Sequence, residues 1–489
     1  MGKTLQEKDQ KQPSTIGRRD FVKIIGAGAA GLLASNLVFA ESAPPTRKPN
    51  VVLIVADDLG YCDVSLYGCR NIPTPNIDSI FTDGASFPDG YVTAPICSPS
   101  RAGLLTGRYQ QRFGFEFNTG PLWRDLQQGL GLPLNETTLA DAMKKAGYAT
   151  GMVGKWHQGM QEQFHPMARG FDEFFGFTFG GNLYGIAGTP DLITGKEERS
   201  GPRRSSYHPI LRGRTAVEEN EYLTDAFTRE AVAFIARHRQ EPFFLYVPYS
   251  APHKPHQVTR KYYDRFKHIE DERKRIYAGM VSALDDGIGE ILKTLKEQGL
   301  EKDTLVIFLS DNGCALYTRA CSNDPLKEGK IHLFEGGVRI PFAMKWPGTI
   351  PANQTFGQAI SSLDIFPTVV AATGATMPTD QARDGVNLLP YLTGQKKSSP
   401  HEHLFWRMDA NSAVRSAEWK LFKGNDRYWL FDLHEDIGEA KDRSADRPDV
   451  LKTMKDALLS WNSELKSPLW PPHVKLPYVF DGEKLNLSV

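Results

Sequence analysis

Two pairs of hard oxygen donors stand at equivalent places in the chain. Asp57-Asp58 follows the apolar run Asn50–Ala56, and Asp311-Asn312-Gly313 follows the run Thr304–Ser310. Taken singly, the first is what a helix cap beside a solvated charge looks like, and the second is ordinary turn chemistry. Taken together they point elsewhere. Adjacent carboxylates repel unless a cation lies between them, and the C-terminal ends of strands are where open α/β sheets bind ligands. Four such donors at one sheet edge suit Ca2+ or Mg2+ rather than zinc.

A third element is Cys97-Ser98-Pro99-Ser100-Arg101. Ser98 to Leu105 has the look of a helix start, with Pro99 suited to the first turn. Cys97 would then sit at a helix N-terminus, where N–H groups and the dipole favour an anion. Arg101, one turn on, can return to the same end. A buried, inert thiol is the usual fate of a lone cysteine, and a thiol nucleophile would want a histidine partner. Lys155 and His157 follow the run Tyr148–Val153 and fall on one face if that segment is extended. His253, between Pro252 and Lys254-Pro255, has a restricted backbone, and Lys330 follows Gly329.

The whole run Ala94–Arg108 closely resembles the active-site motif of the formylglycine-dependent (type I) sulfatases, of the alkaline phosphatase-like superfamily. A bare C-x-P-x-R fixes three positions; the continuation through Leu104, Thr106, Gly107 and Arg108 makes the match specific. The other elements follow in colinear order over about residues 50–370. The resemblance implies that Cys97 is oxidised to Cα-formylglycine (3-oxoalanine) by a formylglycine-generating enzyme, and that its hydrate attacks a sulfate ester. It implies one divalent cation, Ca2+ with Mg2+ as the other choice, on Asp57, Asp58, residue 97, Asp311 and Asn312. Asp311 would assist the attack, while Lys155 and Lys330 neutralise the sulfate oxygens. His253 would protonate the leaving oxygen, His157 take a proton from the second hydroxyl, and Arg101 hold the hydrate. Arg339 would be structural.

Gln163-Phe164-His165-Pro166 looks most like the N-acetylgalactosamine-6-sulfatase branch, which implies a sulfated glycan. Gly180 falls near a position where some members carry a serine. His165, Tyr184, His208, His332 and Trp123 are candidate sugar contacts by residue type. The segment Phe177–Glu221, with Arg203, Arg204 and Tyr207, is a candidate wall for a sugar pocket. Two rival functions are a phosphate mono- or diester hydrolase on the same fold and a non-catalytic sulfoglycan-binding protein.

These residues need a scaffold. Short buried runs at Asn50–Ala56, Tyr148–Val153, Phe243–Tyr249 and Thr304–Leu309 alternate with helical patterns at Thr138–Gly147, Tyr222–His238 and Arg273–Gln298. That alternation predicts an α/β fold, with helices flanking a large mixed, mostly parallel sheet. Ser362–Val370 looks like its last helix. Four short strand-like runs between His403 and Asp432, then a helix Pro448–Leu465, predict a smaller α+β subdomain with an antiparallel sheet. The expected domains are 49–375 and 376–489.

The 489 residues carry 58 basic and 58 acidic side chains, so bulk charge offers no polyanion surface and no nucleic-acid partner is expected. Gly17-Arg18-Arg19-Asp20-Phe21-Val22-Lys23, before the Gly/Ala-rich stretch Ile24–Ala40, reads as a twin-arginine export signal over residues 1–40, with a linker at 41–48. A bacterial periplasmic or secreted enzyme with no permanent membrane span follows. Besides Cys97, Cys62 and Cys69 match Cys314 and Cys321 in spacing. Local disulfides within each pair and free thiols both remain open.

Overall fold

The strand Asn50–Asp57 is buried along its whole length and pairs in parallel with Thr304–Ser310 on one side and Phe243–Pro252 on the other. Successive side chains of a strand point to opposite faces, and both faces are covered. Val51, Leu53 and Val55 join one core; Val52, Ile54 and Ala56 join the other. This double coverage is why the run is continuously apolar instead of alternating. A computed structural model describes residues 47–489 apart from 121, 187–188 and 197–208. The expected export signal, most of the linker, and Arg203, Arg204, Tyr207 and His208 lie outside the described residues.

Among the described residues the main sheet has ten strands. Ala149–Lys155 and Glu173–Phe177 extend its parallel centre beyond Phe243–Pro252. Phe342–Lys345 and Ile210–Arg212 add antiparallel strands towards the two edges. Helices Cys97–Thr106, Leu139–Lys145 and Ile365–Thr373 cover one face. Pro75–Thr82, Leu223–Arg237 and Glu272–Glu297 cover the other. The expected mixed, mostly parallel sheet with flanking helices is therefore present. Thr138 caps Leu139–Lys145 reciprocally with Asp141, as Thr-x-x-Asp before an apolar run should.

The C-terminal part forms a separate four-stranded antiparallel sheet, Leu404–Met408, Asn411–Ser416, Trp419–Gly424 and Arg427–Asp432. Helix Pro448–Ser463 packs Met454, Leu458 and Trp461 against Val414, Leu421 and Leu430. On the other face, Trp406 and Phe422 join the first core, and Trp406 Nε1 donates to the Val92 carbonyl at 2.7 Å. A fully buried ion cluster crosses the same junction. Lys420 Nζ lies 2.9 Å from Glu335 Oε1 and 3.0 Å from Glu439 Oε1.

Two elements differ from the sequence expectation. The segment after Lys155 does not stay extended: His157 takes the left-handed region at φ 56°, so simple alternation does not put Lys155 and His157 on one face. A hairpin, Lys475–Phe480 with Glu483–Ser488, follows the last helix. Its two-residue turn is Asp481-Gly482, both at positive φ, a strong local hairpin signal that the mostly exposed strands obscure.

Candidate active site

The chemistry-bearing side chains gather at the C-terminal ends of the parallel strands. Asp57 is the last residue of its strand, Lys155 the last of the next but one, and His253 follows Pro252 directly. Asp311 and Asn312 follow Ser310. Asp58 turns the chain at φ 63°, a left-handed conformation that Asp tolerates better than most residues. Its N–H donates to Asp311 Oδ1 at 3.2 Å. Cys97 is the first residue of the helix Cys97–Thr106, and the next N–H, of Ser98, donates to Asn118 Oδ1 at 3.1 Å.

Ligand atoms of Asp57, Asp58, Cys97 and His253 all lie within 4.8 Å of one another. Three cations surround them. Lys155 Nζ lies 2.6 Å from Asp57 Oδ2. Lys330 Nζ contacts Asp58 at 2.7 and 2.8 Å and the Cys97 sulfur at 3.2 Å. Arg101 donates twice to Asp311 Oδ2, at 2.9 and 2.7 Å, and lies 3.7 Å from Asp57 Oδ1. The Cys97 thiol donates to Asp57 Oδ1 at 3.4 Å.

Burial pushes the Asp58 carboxyl up, but the Lys330 charge, with the hydrogen bonds from Lys330 and Asn312, overcomes it and holds the group well below the usual carboxylate range. Burial, with the Asp57 charge, raises Asp311 despite Arg101. Burial also raises the Cys97 thiol against the pull of Lys155 and Lys330. The sulfur is therefore a neutral thiol with no histidine among its hydrogen-bond partners in the described residues, which argues against a thiolate nucleophile. His157 and His253 are both held well below the ordinary histidine range, by burial first and by the neighbouring lysines next.

A family model described as Sulfatase matches residues 49–375. The chain belongs to the sulfatase family. A second model, N-sulphoglucosamine sulphohydrolase, C-terminal, matches residues 329–464. N-acetylgalactosamine-6-sulfatase of Mus musculus is 38% identical over 405 residues, 80% of this chain and 74% of that protein. Steryl-sulfatase of Rattus norvegicus is 32% identical over 469 residues, 80% of this chain and 79% of that protein. The crystal structure of Ps i-CgsB in complex with k-i-k-neocarrahexaose has a TM-score of 0.78 at 36% identity, covering 87% of this chain and 95% of that one. The protein is a sulfatase, a sulfuric ester hydrolase.

Membership implies a formylglycine and a divalent cation. The residues fit a cation. Asn312 Nδ2 donates to Asp58 Oδ1 at 2.7 Å, which leaves Asn312 Oδ1 buried and without a hydrogen-bond partner among the described residues. An orphaned carbonyl oxygen beside two carboxylates is a hard-ion donor set. Arg101 occupies Oδ2 of Asp311, and the Asp58 N–H donates to its Oδ1.

Two proposed sugar contacts in this sulfatase have other work. Tyr184 is buried; its hydroxyl shares its one proton between the Ser250 carbonyl and, at 2.8 Å, the His253 carbonyl. It fixes the turn that carries His253 and cannot face a sugar. His165 is buried too, its Nδ1 accepting from Met167 N–H at 3.2 Å and its ring edge-on to Phe174. His332 is partly buried, its Nδ1 3.2 Å from the Lys330 carbonyl and its ring 4.8 Å from Tyr478. Trp123 is exposed on the helix Leu122–Gln128.

Two positioning residues have no sequence signature. Asn118 caps the Cys97 helix from a loop. Gln158 ties the carbonyls of Ser98 and His157, at 2.8 and 2.7 Å. Gly180 lies flush against His157: a Cβ there would come within 2.7 Å of Nε2. A serine at 180 would displace this histidine, so the family variation at that position has a steric counterpart here.

Proposed function

We propose that this sulfatase removes sulfate from a sulfated oligosaccharide or from the end of a sulfated glycan chain. The observation that carries the reading is the convergence of Asp57, Asp58, Cys97 and His253 within 4.8 Å, with Lys155 and Lys330 on the same carboxylates. The carbohydrate part is supported by relatives named for N-acetylgalactosamine 6-sulfate and by the neocarrahexaose complex of a 36% identical protein.

In this reading a formylglycine-generating enzyme oxidises Cys97, and the hydrated aldehyde supplies a hydroxyl nucleophile. Asp57, Asp58, Asp311 and Asn312 would hold one hard divalent cation, calcium or else magnesium by their oxygen character, which supplies polarisation of the sulfate oxygens. Lys155 and Lys330 bind those oxygens and neutralise their charge. Arg101 orients Asp311, which takes a proton as the nucleophile attacks. His253 presents Nε2 to the leaving oxygen, because its Nδ1 contacts the Lys254 carbonyl. Burial, with Lys330 and Lys155, keeps this ring neutral in the substrate-free protein; the ester's negative charge offsets the two lysines, so binding favours the imidazolium that donates. A sugar alkoxide needs that proton to leave. His157, whose Nδ1 is buried without a partner among the described residues, accepts a proton from residue 97 when sulfate departs.

The same proposal places the enzyme in the bacterial periplasm or outside the cell, exported by the twin-arginine-type signal, with a catalytic domain at 49–375 and a smaller unit at 376–489. No helix among the described residues is long and apolar enough to cross a membrane. Sulfate release from a panel of defined sulfated oligosaccharides, beside para-nitrophenyl sulfate and the matching phosphate esters, tests the reading. Turnover of aryl sulfate alone would remove the glycan; faster phosphate release would remove the sulfate preference.

A further inference from the structure

Lys330 is rooted in a turn that does not hold itself. Glu328, two residues before it, takes φ 59°, and Ile331, next to it, takes φ 74°. Left-handed backbone is unfavourable for residues with a Cβ, and most of all for a β-branched one. Such a turn persists only where its surroundings over-determine it. Part of the hold is local. The Lys330 N–H donates to the Cys314 carbonyl at 3.0 Å, the Ile331 N–H to the Pro95 carbonyl at 2.8 Å, and Asn323 Nδ2 to the Glu328 carbonyl at 3.0 Å.

The rest comes from the hairpin Lys475–Phe480 with Glu483–Ser488. Tyr478 Oη donates to Glu328 Oε1 at 2.9 Å, and a bond to an ionised acceptor is among the stronger kinds. Glu328 Oε2 lies 3.8 Å from His332 Nε2, and the His332 ring meets the Tyr478 ring edge-on at 4.8 Å. Lys327 Nζ stands over the Phe480 ring, 4.9 Å from its centroid. The hairpin therefore grips the turn on both sides of Lys330. It is itself anchored. Leu485 and Leu487 are buried, and Trp429 Nε1 donates to Asp481 Oδ2 at 3.0 Å. A lysine carries its ammonium on a flexible four-carbon stem, so the charge returns to one place only if the root of that stem stays put.

We infer that Tyr478 is a positioning residue of the sulfatase reaction: it holds Glu328, and through Glu328 the turn that aims Lys330 at the sulfate group. This rests on the reading above in which Lys330 binds the sulfate oxygens. Tyr478 acts through the turn and not on the sulfate itself.

The test uses the mature full-length enzyme, with para-nitrophenyl sulfate and a sulfated oligosaccharide as substrates and inorganic sulfate as the inhibitor. Tyr478→Phe keeps the ring against His332 and removes only the hydroxyl. It should lower kcat/KM about tenfold on both substrates, less than the roughly 10²-fold that a misplacement of 1 Å can cost. It should weaken inhibition by inorganic sulfate by a similar factor, because Lys330 acts on the group that all three share. Glu328→Gln takes the charge out of the same bond, and the double variant should lose no more than the larger single loss. Wild-type kcat/KM and an unchanged sulfate Ki in Tyr478→Phe would overturn the inference. So would a lowered kcat with KM and Ki unchanged, which reports only that less enzyme is folded. A loss confined to the oligosaccharide would overturn it too, by making Tyr478 a sugar contact, and so would losses that multiply in the double variant. Lys330→Met tests the reading underneath and should lose turnover. If it keeps turnover, Lys330 does not serve the sulfate and the inference goes with it; if it loses turnover while Tyr478→Phe does not, the inference alone fails.

Discussion

The Lys330 ammonium grips both carboxylate oxygens of Asp58, at 2.7 and 2.8 Å, in a pocket almost closed to water. Lys155 does the same for one oxygen of Asp57. Buried charges need partners, and these lysines partner the oxygens that a divalent ion would also use. A bound dication would take over part of that pairing and leave both ammonium groups better able to face an incoming anion. On the proposed function, cation binding would therefore be coupled to sulfate binding.

That coupling predicts a thermal response. After chelation, Ca2+ or Mg2+ should raise Tm, with a gain of about 2.7 kcal/mol once the free ion reaches 100 times its Kd. Asp57→Asn and Asn312→Ala should flatten the response. Differential scanning fluorimetry across a metal titration measures it. A protein indifferent to both hard ions, or stabilised by zinc alone, would contradict the oxygen donor set.

Residue 97 should carry an aldehyde in active protein. Peptide mass spectrometry of the fragment around it should show sulfur lost and oxygen gained. Cys97→Ala should lose turnover by about 10³-fold or more, as nucleophile deletions do. Its unfolding free energy should stay within about 1 kcal/mol of wild type, because a small side chain is truncated with little change of packing. Full activity in a sample that is thiol throughout would refute the assignment.

Much of this arrangement is legible in the sequence, for a physical reason. Buried parallel strands are continuous apolar runs, so the acids that end them at Asp57 and Asp311 are conspicuous, and the α/β order places those ends on one edge. Pro99 in the first turn marks the helix that starts at Cys97. What is not legible depends on where a side chain points after folding. Tyr184 has the residue type of a sugar contact, yet its hydroxyl is spent on the carbonyls of Ser250 and His253. Strict alternation fails at His157, where one left-handed residue redirects the chain. Asn118 and Gln158 act through single long-range bonds that leave no periodic trace. Equal spacing of the two cysteine pairs gave no guide either: Cys314 and Cys321 are bonded, whereas Cys62 and Cys69 are free thiols.

His253→Ala should harm sugar sulfates far more than aryl sulfates. A nitrophenolate leaves unaided, and a sugar alkoxide does not. The expected loss on the glycan is about 10²–10⁴-fold in kcat, against a small loss on para-nitrophenyl sulfate. Equal losses on both would reduce His253 to a sulfate-binding role.

Lys420 should be critical to the junction between the two sheets. Its ammonium is fully buried between Glu335 and Glu439. Burial, partly offset by Lys420, pushes the Glu439 carboxyl up to about 7. Lys420→Met would strand the Glu439 carboxyl in the interior, while Glu335 keeps Tyr91 and Arg339, at a cost of about 3–5 kcal/mol. Urea unfolding followed by tryptophan fluorescence should show the midpoint fall accordingly. An unchanged midpoint would mean that the cluster is dispensable.

The pair His401–Asp364 gives a pH dependence of defined sign. His401 Nε2 lies 2.8 and 2.9 Å from the two oxygens of Asp364. Burial pulls the imidazole down, but the Asp364 charge and hydrogen bond outweigh it, so the folded pKa is raised above its ordinary value of 6.5. The folded state then binds the proton more tightly than the unfolded chain. The pair's contribution is fully present below the unfolded pKa, near 6.5, and is lost as pH rises through the higher folded pKa. His401→Gln removes the proton site. It should cost about 1.5–3 kcal/mol, the range for hydrogen bonds to charged groups, at pH 5.5 and clearly less at pH 9. Urea unfolding of wild type and variant at the two pH values measures the gap. A gap that is constant with pH, or wider at pH 9, would show that His401 is not held charged by Asp364.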